Sequence, residues 1–88
     1  MTAGTVQVTL LTQHACTHCE HAKAVLARVS HDFDITIDEI RLESDEGRSL
    51  ATRHGVMFAP GVLLDGRPFG YGRLSERKLR KELSRAVA

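Results

Sequence analysis

The chain has 88 residues, the length of one small domain with a single core. Apolar residues make up 42% of the sequence and charged residues 26%, a composition that excludes a disordered polar chain. With 12 basic and 11 acidic residues the formal net charge is +1, so the overall charge favours neither nucleic acid nor a membrane surface as a partner. We therefore expect one domain over residues 1–88, without nucleic-acid or membrane partners.

The sequence also carries little sign of export. No run reaches the 18 apolar residues that predict a membrane-spanning helix. Residues 1–8 lack the basic and apolar regions of a secretory signal. Two cysteines are too few for the disulfide framework of a secreted miniprotein. We expect a cytoplasmic protein that acts as a monomer.

The first half of the chain alternates between strand and helix patterns. Apolar and polar residues alternate over 5–12 and predict a strand. A helix over about 17–30 is predicted by apolar residues at helical spacing: Ala22, Val25, Leu26 and Val29. The segment HACTHCEHA, residues 14–22, therefore lies where the strand gives way to the helix.

A second strand and a second helix follow. In FDITIDEIRLE the apolar residues change phase after Ile37, which indicates a bulge or a strand start near Asp38 and a strand over 37–42. Ser44 is predicted to cap the next helix, because its hydroxyl can accept from the first free N–H groups. Gly55 is predicted to end that helix.

The second half of the chain predicts a hairpin and a last helix. Asp65 and Gly66 are typical of a two-residue turn between paired strands. Ser75 is predicted to cap the last helix, and Phe58 and Phe69 are predicted as core residues. The apolar stripe of that helix consists of Leu79, Leu83, Ala86 and Val87. The order β-α-β-α-β-β-α predicts an α/β fold with parallel strands first and an antiparallel edge.

Cys16 and Cys19 are the only cysteines, and they stand three residues apart at the start of the first helix. Free N–H groups and the helix dipole favour an anion there, so we expect the pKa of the Cys16 thiol below its free value of about 8.5. A thiolate attacks disulfides, and Cys19 can then attack the mixed disulfide from nearly one turn further on. In a chain without a visible export signal this spacing predicts redox chemistry or metal binding. As a redox pair, Cys16 would be the nucleophile and Cys19 the resolving cysteine.

The element order and two motifs, CTHC at 16–19 and FAPGV at 58–62, together resemble the glutaredoxin-like form of the thioredoxin fold over residues 6–87. The resemblance implies a minimal thioredoxin fold, in which helices flank a central four-stranded mixed sheet. It also implies a thiol–disulfide oxidoreductase without a bound cofactor. The implied substrates are proteins that carry disulfides or mixed disulfides of glutathione.

The resemblance adds further residues to the predicted site. Pro60 is expected in the cis form, so that the Ala59 backbone faces Cys16 and can pair with an extended substrate, with Phe58 beside it. His18 in its protonated form would stabilise the thiolate and shift the pair toward an oxidant. Protein disulfide isomerases have a histidine at the corresponding position.

The sequence leaves the electron source open. Glutaredoxins usually have T-V-P at the proline and a double glycine before the last helix, and both contribute to glutathione binding. This chain has F-A-P and G-Y-G instead, with Tyr71 at the place of the second glycine. Its first strand also lacks the buried acid that accepts a proton in thioredoxins. Glutathione and a thioredoxin reductase are therefore both retained as reductants.

Two alternatives belong to other functional classes. The segment ACTHCEHAKAVLARV is similar to the metal loop of heavy-metal-associated domains, in which two thiolates bind zinc or copper. Those domains have the order β-α-β-β-α-β, which differs from the order predicted here, so we assign no metal ligand. The second alternative is a non-catalytic thioredoxin-like adaptor that docks a partner through its basic last helix.

Overall fold

A computed structural model describes residues 5–87, without the side chain of Val87. The predicted element order is confirmed. The elements are β1 (Val6–Thr12), α1 (Thr17–Val29), β2 (Ile35–Arg41), α2 (Asp45–His54), β3 (Gly61–Leu64), β4 (Arg67–Tyr71) and α3 (Glu76–Val87). This order differs from that of heavy-metal-associated domains, so the metal-binding fold considered above is not the fold of this chain.

The four strands form one mixed sheet in the order β2-β1-β3-β4. β1 pairs with β2 in parallel, and the pairs β1–β3 and β3–β4 are antiparallel. The parallel pair is joined by α1, as a parallel connection requires. Asp65 and Gly66, both with positive φ, form the predicted hairpin turn.

Most of the apolar core lies between the sheet and the helices α1 and α3. Buried side chains from β1, α1, β3 and α3, with Leu74 before α3, make this core: Val6, Val8, Leu10, Ala22, Val25, Leu26, Val29, Val62, Leu74, Leu79 and Leu83. The predicted apolar face of α1 is therefore confirmed. In α3, Leu79 and Leu83 are buried as predicted, whereas Ala86 is exposed, so its assignment to the stripe was wrong. The side chain of Val87 lies outside the described residues.

The predicted bulge near Asp38 is wrong. β2 starts at Ile35 and pairs with β1 without interruption as far as Arg41. The apolar residues change phase because β2 contributes to both faces of the sheet: Ile37 pairs with Val8 of the core, and Ile40 pairs with Leu11, which lies on the opposite face. The register shift lies instead between β3 and β4, where Phe69 has no partner.

Helix α2 covers the opposite face and begins and ends where the sequence predicts. The Ser44 hydroxyl accepts a hydrogen bond from the Gly47 N–H at 2.9 Å, and Gly55 ends the helix with φ 69°. A Cβ atom at Gly47 would overlap the carbonyl oxygen of Arg41, so only glycine lets the helix approach β2 this closely. No helix within residues 5–87 has both the length and the apolar character to cross a membrane.

Candidate active site

The two cysteines lie where the chain turns from β1 into α1. Ala15 has φ 53°, a left-handed conformation that is uncommon for a residue other than glycine. Cys16 then adopts an extended conformation and is the N-cap residue of α1. The turn at Ala15 reverses the chain after β1, and as a result the first cysteine stands at the end of the helix where free N–H groups are found.

The two cysteines differ in their exposure to solvent. Cys16 and Cys19 form a disulfide, and Cys16 Sγ also accepts a hydrogen bond from the Cys19 N–H at 3.1 Å. Cys16 is half-buried at the surface, whereas Cys19 is only 1% exposed. The helix dipole and this N–H favour a negative sulfur at position 16. A substrate can therefore reach Cys16 but not Cys19.

The histidines around the pair lie near the surface and do not converge. His14 and His18 are exposed, and His21 is half-buried. In the described part of the chain, no three side chains from histidine, cysteine, aspartate and glutamate come together at a metal-binding distance. His18, predicted to tune the pair, lies within the first turn of α1 between the two cysteines.

The peptide bond between Ala59 and Pro60 is cis, as the resemblance implies. Ala59 is 8% exposed and Pro60 is buried. The Pro60 carbonyl accepts a hydrogen bond from the Gly72 N–H at 2.8 Å, which ties the proline loop to the segment between β4 and α3. The structure thus fixes Pro60 between the start of β3 and the end of β4.

Phe58 and Tyr71 form an exposed aromatic pair beside this proline. Their ring centroids lie 5.0 Å apart with the planes at 89°, the edge-to-face arrangement that aromatic rings favour. Phe58 is 56% exposed, so its prediction as a core residue was wrong, while Phe69 is half-buried and packs against the core. Gly72 has φ 86°, and a Cβ atom there would lie 3.1 Å from the Phe58 ring. The chain turns at Gly72 and leaves room for that ring.

A polar cluster that the sequence did not predict lies at the end of β1. Thr12 is 2% exposed and donates a hydrogen bond from its hydroxyl to Glu39 Oε2 at 2.9 Å. Lys23 Nζ lies 3.2 Å from the same oxygen, and Lys23 is one helical turn after Cys19. The hydrogen bond from Thr12 lowers the pKa of Glu39, as does the Lys23 charge, and Glu39 in turn raises the pKa of Lys23.

This cluster could be recognised only once the strand pairing was known. Glu39 pairs with Leu10 in the parallel register, so its side chain lies on the face of the sheet that α1 covers. In the sequence, Glu39 is one of several acidic residues in a stretch with the polar composition of a solvent-exposed segment. β1 itself contains no acid, and the neighbouring strand supplies the carboxylate at this place.

Comparison with known proteins points to one family. Residues 7–84 match the family described as Glutaredoxin-like domain (DUF836). Domains of this kind need no bound cofactor. None of the curated protein sequences matches the chain.

Several solved structures share the fold. A mutant thioredoxin from Halobacterium salinarum NRC-1 superposes with a TM-score of 0.73 at 22% identity, covering 94% of this chain and 75% of that one. A malarial protein gives a TM-score of 0.71 at 18% identity, with 96% and 99% covered. An uncharacterised thioredoxin-like protein from Clostridium perfringens gives 0.70 at 18% identity, with 97% and 73% covered. These similarities confirm the predicted minimal thioredoxin fold.

Proposed function

The chain belongs to the glutaredoxin-like domain family with the thioredoxin fold, and from this premise we propose that it is a thiol–disulfide oxidoreductase. Cys16 attacks a substrate disulfide and Cys19 resolves the mixed disulfide. The substrates are proteins that carry disulfides, or mixed disulfides of glutathione. The fold and the cysteine pair already indicate disulfide-containing substrates in general.

One observation supports this assignment of roles more than any other. Cys16 is accessible at the helix N-terminus and accepts a hydrogen bond from the chain, whereas Cys19 is buried behind it. An accessible sulfur stabilised as a thiolate suits the attacking group. A buried sulfur within disulfide distance of the first can attack only a bond that Cys16 has already formed.

The proposed cycle balances as a two-electron exchange. The Cys16 thiolate attacks one sulfur of the substrate disulfide, the substrate S–S bond breaks, and the other substrate sulfur leaves as a thiolate. Cys19 then loses its proton and attacks Cys16 Sγ, which releases the second substrate sulfur. The substrate has gained two electrons and two protons, and the protein holds the Cys16–Cys19 disulfide. A dithiol donor or two molecules of glutathione return the protein to its reduced form.

The residues at the proline loop form the proposed substrate-binding surface. The Ala59 backbone would pair with an extended substrate, Pro60 holds this segment against β4, and Phe58 offers an exposed apolar ring. His18 is proposed to favour the Cys16 thiolate through a positive charge on the same helix turn. Replacing the side chain of Phe58, Pro60 or His18, with both cysteines intact, should therefore slow the exchange.

Single cysteine variants test the mechanism directly. We expect Cys16→Ser to abolish reduction of a model disulfide, because no attacking sulfur remains at the surface. We expect Cys19→Ser to accumulate a mixed disulfide with the substrate, visible by mass spectrometry as a covalent adduct on Cys16. Unchanged function in Cys16→Ser would contradict the redox mechanism and favour an adaptor.

The electron source is tested on the wild-type protein in its oxidised form. Reduced glutathione is added in one series, and thioredoxin reductase with NADPH in another, and the loss of the Cys16–Cys19 disulfide is followed with time. Fast opening by glutathione would assign it as the donor. Fast turnover by the reductase alone would assign the protein to a thioredoxin-like pathway, and failure of both would contradict the proposed cycle.

A further inference from the structure

A small groove lies between the end of β4 and the start of α3. Its volume is about 250 Å³ and its lining is mixed in character. Three apolar side chains that are buried or half-buried contribute to it: Val62, Phe69 and Leu74. Tyr71 and two cations, Arg73 and Lys78, also line the groove. A groove of this size holds one side chain rather than a whole cofactor, since cofactor pockets start at about 300 Å³.

The two cations of the groove differ from Arg28 and Arg80, which lie nearby. Arg28 and Arg80 are both bound to Glu76, at 2.9 and 3.0 Å. Among the ion pairs of residues 5–87, none includes Arg73 or Lys78, and both residues are exposed. Their charges are therefore available to a ligand, and an arginine beside a lysine suits a carboxylate.

The groove is continuous with the proposed substrate-binding surface. Tyr71 lines the groove and packs edge-to-face against Phe58, two residues before Pro60. The N–H of Gly72, another residue of the groove, donates to the Pro60 carbonyl. A chain segment that crosses the aromatic pair beside the proline therefore meets Arg73 next.

We propose that this groove selects disulfide-bearing protein segments with an acidic residue near the reacting cysteine. The acidic side chain places its carboxylate between Arg73 and Lys78, and its methylene stem lies on the apolar lining. The aromatic pair Phe58–Tyr71 contacts the neighbouring part of the same segment. This proposal rests on the proposed function, because it names the substrate class of that site.

Charge complementarity decides between the occupants that such a surface could take. A nucleic acid would need a long basic track, and the chain as a whole carries a net charge of only +1. A single carboxylate needs only the two cations that the groove supplies. The same charges attract an acidic segment from a distance, so the effect appears mainly in the rate of association.

Two matched peptides test the proposal. Each carries one cysteine as a 2-thiopyridyl mixed disulfide, with two glutamates on either side in the first peptide and glutamines in the second. The reduced protein is mixed with each peptide at low ionic strength, and release of thiopyridone gives the second-order rate. We expect the glutamate peptide to react about 10-fold faster than the glutamine peptide, with the ratio falling as salt is added.

Paired variants locate the effect. The double variant Arg73→Gln with Lys78→Gln should bring the ratio of the two rates close to one. The control is Arg77→Gln with Lys81→Gln, which removes the same charge from exposed residues of α3 outside the groove, and it should keep the ratio. Circular dichroism of both variants checks that each is folded before its rates are compared.

The outcomes separate this proposal from the function on which it rests. If neither peptide releases thiopyridone, the oxidoreductase mechanism itself is wrong. Equal rates for the two peptides with the wild-type protein would overturn the acidic selectivity while leaving the mechanism intact. An equal loss of the ratio in both double variants would also overturn the proposal, because net charge and not the groove would then be the cause.

Discussion

The two faces of the sheet are covered in very different ways. On one face α1 and α3 bury a continuous apolar core against β1 and β3. On the other face α2 is polar, and its one buried residue is Gly47. The buried apolar side chains of that face come from the strands and the loop before β3: Leu11, Val56 and Leu63. The free energy of unfolding therefore depends mainly on the first face, and α2 is held by close backbone approach.

This difference bears on the candidate site, because the site joins the two faces. The cysteines lie at the start of α1, whose apolar side chains are part of the core that α1 and α3 form with the sheet. The segment with Phe58 and Pro60 follows α2, the helix that covers the other face of the sheet. The cysteine pair is thus attached to the face with the larger apolar core, while the proposed substrate-binding segment follows the face with fewer buried apolar side chains.

The largest expected loss of stability comes from a substitution on the face that α1 and α3 cover. Leu26→Ala should lower the free energy of unfolding by about 2–5 kcal/mol, because the buried side chain is lost and a cavity remains. Leu50→Ala in α2, where the side chain is only half-buried, should cost clearly less. Urea denaturation of both variants measures the comparison, and equal losses would mean that the two faces contribute alike.

Gly47→Ala tests how α2 is held against its own face of the sheet. Helix propensity alone would make alanine better than glycine by about 1 kcal/mol. The added Cβ would overlap the Arg41 carbonyl, which belongs to the backbone and cannot move aside cheaply, so we expect a net loss of about 1–3 kcal/mol. Ser49→Ala, exposed on the same helix, is the matched control and should change stability little. A gain in Gly47→Ala would show that α2 is loosely placed.

A smaller difference in stability is expected between a glycine variant in the turn before Cys16 and one inside α1. Ala15 adopts a left-handed conformation, so Ala15→Gly should remove strain from the folded state and raise the free energy of unfolding by about 1 kcal/mol. Glycine is also freer in the unfolded chain, and this largely cancels the gain. Ala24→Gly, in an exposed interior position of α1, has no such relief and should cost about 1 kcal/mol. Thermal unfolding of both variants checks this, and equal losses would argue against the left-handed turn.

The smallest expected effect concerns the polar cluster at the end of β1, on the face that α1 covers. Thr12→Val keeps the shape of the side chain but removes the hydrogen bond that most lowers the pKa of Glu39, so this pKa should rise toward its ordinary value. A lowered pKa in the folded state stabilises the protein above the unfolded pKa, and this contribution is lost as the pH falls through the folded pKa. An NMR titration of the Glu39 carboxyl carbon measures the shift, and no change would contradict the contact.

The sequence predicted the element order, both helix caps of α2, the hairpin turn and the cis proline. The caps and the turn depend on local chemistry, such as the Ser44 hydroxyl and the Asp65–Gly66 pair, whereas the cis proline follows from the resemblance to glutaredoxin-like proteins. The sequence failed where the answer depends on which strands meet. The phase change after Ile37 predicts a bulge, because nothing in the local sequence shows that an outer strand contributes apolar residues to both faces.

The candidate site shows the same division. Cys16 and Cys19 were found by their spacing, and the structure brings them together at the start of α1. A large apolar residue is usually buried, so the sequence predicts Phe58 in the core, yet Phe58 packs on Tyr71 at the surface. The cluster of Thr12, Lys23 and Glu39 joins three separate elements, and only the parallel register places them side by side.

Both outer strands of the sheet carry features that prevent growth by strand addition. β4 contains Pro68, which has no N–H to offer a further strand, and the irregular pairing beside Phe69 interrupts its regular edge. β2, at the other side, carries charged residues along its length: Asp38, Glu39 and Arg41. A flat apolar edge would template aggregation in a chain that also exposes Met57. Both edges of the sheet therefore disfavour pairing with a strand from another chain.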